Sequence, residues 1–304
     1  MVTVRLPRAT CDRYERLSLF NSPYPAHGAG RAVDCYPGGA RCAPSPVAGT
    51  VRETLAARAP TRPGADDSDH LILVDVDREA SGLGPGDPLV ARVLHVDPAV
   101  APGDRVEVGA ALGRLVDSGY FAPWVDPHLH LGLRSPDRNL RRASGSVPVT
   151  LGVDLDPLAW DGRGRVAERG ETWVRLDAPA PDGAGGWTGL GASGPAPVVL
   201  DGGLPHYAGG GALGDGPDGP LSLLGTVVAD RTGRRVAWRE VEVRVAVAGG
   251  DPARVVGLSL FLVRDGRTGV KLVAPEHDAT VGDAVRVSVA PGERPRLGRP
   301  APQE

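Results

Sequence analysis

Apolar residues in this chain come in short bursts, and glycine, proline or aspartate ends nearly every one of them. With 43 glycines and 30 prolines among 304 residues, few stretches hold the roughly twelve uninterrupted residues that a stable helix needs. The chain is therefore confined to short extended segments joined by turns, and the expected class is all-β. Ala32-Val33, Pro46 to Val51, Leu71 to Val76, Leu89 to Val96, Arg105 to Val108, Ala111 to Val116 and His128 to Leu133 read as strands. So do Leu221 to Ala229, Arg235 to Val247, Val255 to Val263, Val270 to Val273 and Ala284 to Val289. Only Glu53 to Arg58 and Asp137 to Arg142 carry a weak helical pattern.

These segments fall into blocks. Residues 1–150 are expected to form one domain and 221–290 a second β-rich one, a sandwich or small barrel. Between them, 151–220 passes through a charged stretch and then a Gly/Pro-rich run, expected to be a connection. The tail 291–304 is rich in Pro and Arg and is expected to be disordered. A Gly-Asp turn entering a strand occurs twice, at Gly103-Asp104 and Gly282-Asp283.

The formal net charge of −3 gives no broad basic field, so nucleic acid is not an expected partner. No apolar run approaches the roughly 18 residues of a membrane span. Residues 1–20 carry scattered charges and no apolar core of the kind a signal peptide has, which makes the cytoplasm the expected location. The odd cysteine count argues against a disulfide framework. Cys11, Cys35 and Cys42 are expected to be buried free thiols, with a Cys35–Cys42 bridge as the alternative.

Chemistry concentrates in the seven histidines. In Pro127-His128-Leu129-His130 the two imidazoles lie at i and i+2, so a strand places them on one face, about 7 Å apart. His27 and Asp34 flank a loop with Gly28 and Gly30, which lets the chain bring His27 back toward the strand that carries Asp34. A His, Asp, His set supplies the three protein ligands of a catalytic zinc site. His70 reads as an edge residue and His277 as a turn. The acidic run Asp66-Asp67-Ser68-Asp69 reads as a solvated loop, since it lacks the ligand spacing of a calcium loop. Trp160, Trp173, Trp187 and Trp238 fit a core or a ligand platform equally well.

Taken together, residues of about 20–135 resemble the lysostaphin/LytM family of zinc endopeptidases. The likeness is carried by His27…Asp34, then Pro46-Val47-Ala48-Gly49-Thr50-Val51, Leu94-His95-Val96, the segment Val100 to Gly113 built around Gly103-Asp104, and Pro127 to His130. The resemblance implies a duplicated-hybrid-motif (lipoyl-like) β-barrel, a Zn2+ cofactor held by His27, Asp34 and His130, and catalytic assistance from His95 and His128. It implies hydrolysis of a peptide or peptidoglycan-like substrate. The sequence departs from the pattern in its longer His27–Asp34 separation, in Leu131-Gly132-Leu133-Arg134 after His130, and in the bulky Tyr120 to Asp126 stretch. Tyr120, Phe121 and Trp124 are candidates for substrate contact or for capping the barrel, and His206 is a further candidate for substrate contact. Two other readings fit the same barrel: an inactive LytM-like binding module, and a phosphocarrier with facing histidines. The oligomeric state is not legible in the sequence.

Overall fold

The computed structural model describes residues 3–39, 41–181, 185–295 and 297. Its regular structure is nearly all strand, the all-β class expected, and the chain folds as two compact units. The first contains Pro25–Val153 and the N-terminal segment up to Leu17; the second contains Asp154 onward together with Ser18–Tyr24.

The first unit is organised by a six-stranded antiparallel sheet. Its order is Val33–Tyr36, Leu129–Arg134, Val90–Leu94, Ser68–Val76, Gly49–Arg58 and Arg105–Val106. Strand alternation gives the two faces opposite characters. Val33, Leu131, Val93 and Ile72 stand in one register row, each with no measurable exposure. Burying each is worth about 2 kcal/mol. The adjacent row on the opposite face is Asp34, His130, Leu94 and Leu71. A slip of one residue would exchange these rows, so the apolar core also fixes where the polar residues point. A separate three-stranded sheet joins Cys42–Pro44, Ala111–Leu115 and Val96–Pro98, and the parallel pair Val4–Leu6 and Val149–Leu151 ties the ends of the unit together. The sheets do not close into a barrel.

Several expectations are corrected. Glu53 to Arg58 is not helical but the end of strand Gly49–Arg58, because its pairing with Ser68–Val76 overrides its helix formers. Residues 137–142 are turn and bend, and among the described residues the helices are the single turns Arg8–Cys11 and Pro25–Gly28. The stretch 151–220 is not a connection. It holds strands Leu155–Leu158, Arg163–Arg169, Trp173–Leu176, Trp187–Ala192, Val198–Leu204 and Gly209–Leu213, and the second unit begins there and not at 221. Its glycines are packing residues: a Cβ at Gly210 would strike the ring of Trp238, and one at Gly211 the ring of Phe20. Composition looks the same for a loose linker and for backbone pressed against aromatic rings. Pro291 closes the last strand, Ala284–Pro291; most of the tail expected to be disordered lies outside the described residues.

The second unit is built of mostly antiparallel neighbours, with Leu155–Leu158 parallel to Trp187–Ala192, around Leu190, Leu200, Leu204, Leu258, Leu260, Leu272 and Trp238. Trp187 and Trp238 are core residues, whereas Trp173 is partly exposed with the Lys271 ammonium 4.8 Å from its ring centre. The two Gly-Asp turns share one design: Asp104 Oδ2 accepts from Ala101 N and Asp283 Oδ2 from Thr280 N, each at 2.8 Å. Cys11 and Cys35 are buried free thiols, and burial raises both pKa values; Cys42 is free but exposed, contrary to expectation.

Asp201, fully buried, anchors segment Ser18–Tyr24 into this unit. Its carboxylate accepts from Ser18 Oγ at 2.5 Å, Leu19 N at 2.6 Å and Phe20 N at 3.1 Å. Asp201→Ala strands these buried donors and is expected to lower the unfolding free energy by about 3 kcal/mol in a urea titration; a loss under about 1 kcal/mol would show that the segment is held by its apolar contacts instead.

Candidate metal centre

The pairing of Val33–Tyr36 with Leu129–Arg134 sets Asp34 directly opposite His130. His27 comes from the single turn Pro25–Gly28, which Gly30 ends at a positive φ of 61°. Backbone bonds from Gly30 N to His27 O and from Arg31 N to Ala26 O turn the chain back toward Val33. The glycine loop thus does what the sequence suggested and brings His27 onto Asp34.

Three donor atoms meet as a result. His27 Nε2 lies 3.0 Å from His130 Nδ1 and 3.2 Å from Asp34 Oδ1, and His130 Nδ1 lies 3.0 Å from Asp34 Oδ1. An ion bound tetrahedrally at about 2.0–2.1 Å keeps neighbouring donors about 3.3 Å apart. The triangle is close to one face of that tetrahedron, so this group can hold a metal ion. His27 and Asp34 are buried and His130 is partly open, which leaves one side of the triangle accessible.

The electrostatics suit a cation. Burial pushes the Asp34 carboxyl up, but the charges of His27 and His128 and hydrogen bonds from His128 and His130 outweigh it and hold the group well below the ordinary carboxylate range. Burial pushes the His130 imidazole down to about 4 against the pull of Asp34, so the ring is neutral near pH 7 and offers a lone pair.

His128 and His95, the two expected helpers, stand beside this triangle. His128 lies just before its strand; Nδ1 is 2.9 Å from the carbonyl oxygen of Asp126, to which it donates, and Nε2 is 3.5 Å from Asp34 Oδ1. His95 lies between Val90–Leu94 and Val96–Pro98 at a positive φ of 66°, a conformation that costs a non-glycine residue about 1–2 kcal/mol. Its Nδ1 is 2.7 Å from Asp69 Oδ2, and its ring centre is 5.4 Å from that of His128. Phe121 stacks on His128 at 4.6 Å and meets His95 edge-on at 4.7 Å, so it walls both rings. Tyr36 also packs on His128, with ring centres 4.9 Å apart.

Asp69 was misread in the sequence as part of a solvated loop. It is 5% exposed in strand Ser68–Val76, bonded to His95 and, at 2.6 Å, to Ser118 Oγ. Burial raises its pKa, but His95 and the hydrogen bonds of Ser118 and His70 bring it below the usual range, so it is a carboxylate. Tyr36, Ser118 and the Arg16–Asp126 ion pair, 2.7 Å long beneath His128, were not foreseen either. Of the four substrate-contact candidates, Tyr120 lines a cavity beside the sheet, while Phe121 and Trp124 are largely buried. His206 is not part of this group; the structure packs it in the second unit with its ring 4.5 Å from Tyr207, because burial there, not the metal triangle, claims it. His70, expected at an edge, pairs with Ala56 inside strand Ser68–Val76, and His277 occupies a turn.

Residues 5–151 match the family model described as the DUF8155 N-terminal domain, and residues 156–290 match that of the DUF8155 C-terminal domain, both of unknown function. The chain belongs to the DUF8155 family. No curated protein matches it. The histidine group lies wholly within the stretch matched by the DUF8155 N-terminal domain. Among the described residues no helix is long and apolar enough to cross a membrane.

Cobalt(II) is a suitable optical probe of this triangle. The DUF8155 chain is expected to bind one equivalent with the visible absorption of a four-coordinate ion, and His130→Ala and Asp34→Ala to weaken binding by more than about a hundredfold, beyond what loss of an outer partner costs. Equal binding by wild type and both variants would place the ion elsewhere.

Proposed function

We propose that the N-terminal domain is a zinc-dependent endopeptidase of the lysostaphin/LytM type, acting on a peptide or peptidoglycan-like substrate. The observation that carries this reading is the triangle of His27 Nε2, Asp34 Oδ1 and His130 Nδ1 with two further histidines beside it. Two imidazole nitrogens and one carboxylate oxygen are a zinc-type donor set that leaves a fourth position free. The likeness to the family's duplicated hybrid motif belongs to the same proposal and rests on the order of the sequence motifs.

Zinc in this site supplies Lewis acidity, bringing the pKa of water toward about 7 and polarising a carbonyl. The protein's own groups do the rest. The Asp126 carbonyl fixes the His128 proton on Nδ1, so Nε2 faces the site as a base and takes the proton from the attacking water. The Asp69 carboxylate accepts from Nδ1–H of His95 and turns Nε2 outward, where the ring in its doubly protonated form would donate Nε2–H to the developing oxyanion. The peptide C–N bond breaks, a carboxylate and an amine leave, and the proton taken by His128 is passed on to the amine. Asp69 is a positioning residue, comparable to the outer carboxylate that orients a working histidine.

His128→Ala is expected to keep stoichiometric zinc and lose about 100- to 10,000-fold in hydrolysis; loss of zinc in that variant would overturn the division of roles. Asp69→Asn is expected to lower kcat about 10- to 100-fold with KM and zinc content unchanged and to displace the pH profile, whereas a purely structural Asp69 would change the melting temperature and leave the profile in place.

A further inference from the structure

Beyond the histidines, the site face of the sheet carries two buried guanidinium groups. Arg92 pairs in register with Gly132, two residues along the strand from His130, and Arg134 follows two residues later on the same face. Arg92 is 3% exposed and Arg134 has no measurable exposure. Among the described residues neither forms an ion pair. Arg92 Nε donates to the Leu140 carbonyl at 2.6 Å, and Arg134 donates to the Asn139 carbonyl and to Ser146 Oγ. These acceptors are neutral, and the Nη groups of Arg92 have no acceptor among the described residues. Burial, reinforced by Arg134, brings the Arg92 pKa down to about 10, so the pair remains charged at neutral pH with neutral partners and no counter-ion among the described residues.

Arg92 also lines a cavity of about 280 Å3. Leu55, Leu71 and Leu94 form its floor, the same register row that begins at Asp34 and His130; Tyr120 and Arg141, the latter paired with Glu53, stand at its sides, and Asp69, held by His95 and Ser118, lines it as well. The cavity therefore lies on the same face as the metal triangle, and its lining residue Leu94 is the strand neighbour of His130. Two residues along a strand cover about 7 Å, the span of two residues of an extended peptide.

We propose that Arg92, backed by Arg134, is the subsite that binds a carboxylate of the peptide substrate, about two residues from the bond that is cut. This rests on the peptidase reading and names its substrate class: a peptide anionic on one side of the scissile bond, with an apolar side chain over Leu94 and Leu71. A guanidinium binds a carboxylate through two parallel N–H···O bonds, and the depth of Arg92 shields them from water. The carboxylate is either a chain terminus or an acidic side chain, and the two are separable by experiment.

The test uses the full zinc-loaded chain and three malonyl hydroxamates, whose hydroxamate chelates the metal: one extended by Leu-Ala with a free terminal acid, one by Leu-Ala amide, one by Leu-Glu amide. In calorimetry, one of the two anionic probes is expected to bind at least about tenfold more tightly than Leu-Ala amide, the free acid if a terminus is read and the Glu amide if a side chain is. Arg92→Met, similar in reach but uncharged, is expected to erase that preference while keeping zinc content and the affinity for Leu-Ala amide. Equal binding of all three probes by wild type overturns the anion subsite and leaves the peptidase reading standing, also if Arg92→Met fails to fold. A preference that survives in a folded Arg92→Met overturns the role of Arg92. A chain that holds no zinc and binds no hydroxamate removes the peptidase reading itself.

Discussion

The Asp34 carboxylate is the point on which the first unit turns. It is 3% exposed, and an ionised carboxylate at that depth is tolerated only with close positive or donor groups around it. His27, His128 and His130 are those groups, and each arrives by a different route. His130 comes from the strand partner, His128 from the residue two before it, and His27 from a single helical turn folded back by a glycine. Their donor atoms crowd to within 3.0–3.5 Å of one another or of Asp34. The His27 and His130 nitrogens and the Asp34 carboxylate, that close, are poorly served by protons alone, since two ring nitrogens facing each other must share one proton. A small cation satisfies all the lone pairs at once, which is the physical reason for reading the cluster as a metal centre and not as a buried hydrogen-bond network.

Much of this was legible because it follows from periodicity. The His-Leu-His spacing puts both rings on one face of an extended segment, and a short glycine loop joins His27 to the strand of Asp34. All-β class followed from the lengths of the apolar runs. The illegible parts depend on register between strands far apart in sequence. Asp69 sits in an acidic run that any surface loop could carry. Only the pairing of Ser68–Val76 with Val90–Leu94 brings its carboxylate under His95, and nothing local announces that. The glycines of 187–213 failed for a related reason: a glycine that yields space to Trp238 or Phe20 has the same letter as one in a tether. Glu53 to Arg58 shows the limit of propensity, since an edge-to-edge pairing of nine residue pairs decides its conformation.

The same registers sort charge along the site face. Acidic groups, Asp34 and Asp69, gather with the histidines at one end, and the guanidinium groups of Arg92 and Arg134 lie one and two steps down the strands. Leu94 and Leu71 continue the row of Asp34 and His130, and Arg92 stands one step along the strand from Leu94, with no ion pair between it and the acids among the described residues. An acid placed beside Arg92 would have been the simplest way to stabilise it, and strand Ser68–Val76 offers neighbouring positions for one. The position directly opposite is Leu73, flanked on that face by Leu71 and by Asp75, whose carboxylate pairs with Arg52 instead. On the peptidase reading proposed above, such a face has a direction: a peptide along it would be favoured in one orientation, with its carbonyl at the histidines and its anionic group toward Arg92. Direction of this kind is what separates a site that selects one bond in a peptide from one that only holds an ion.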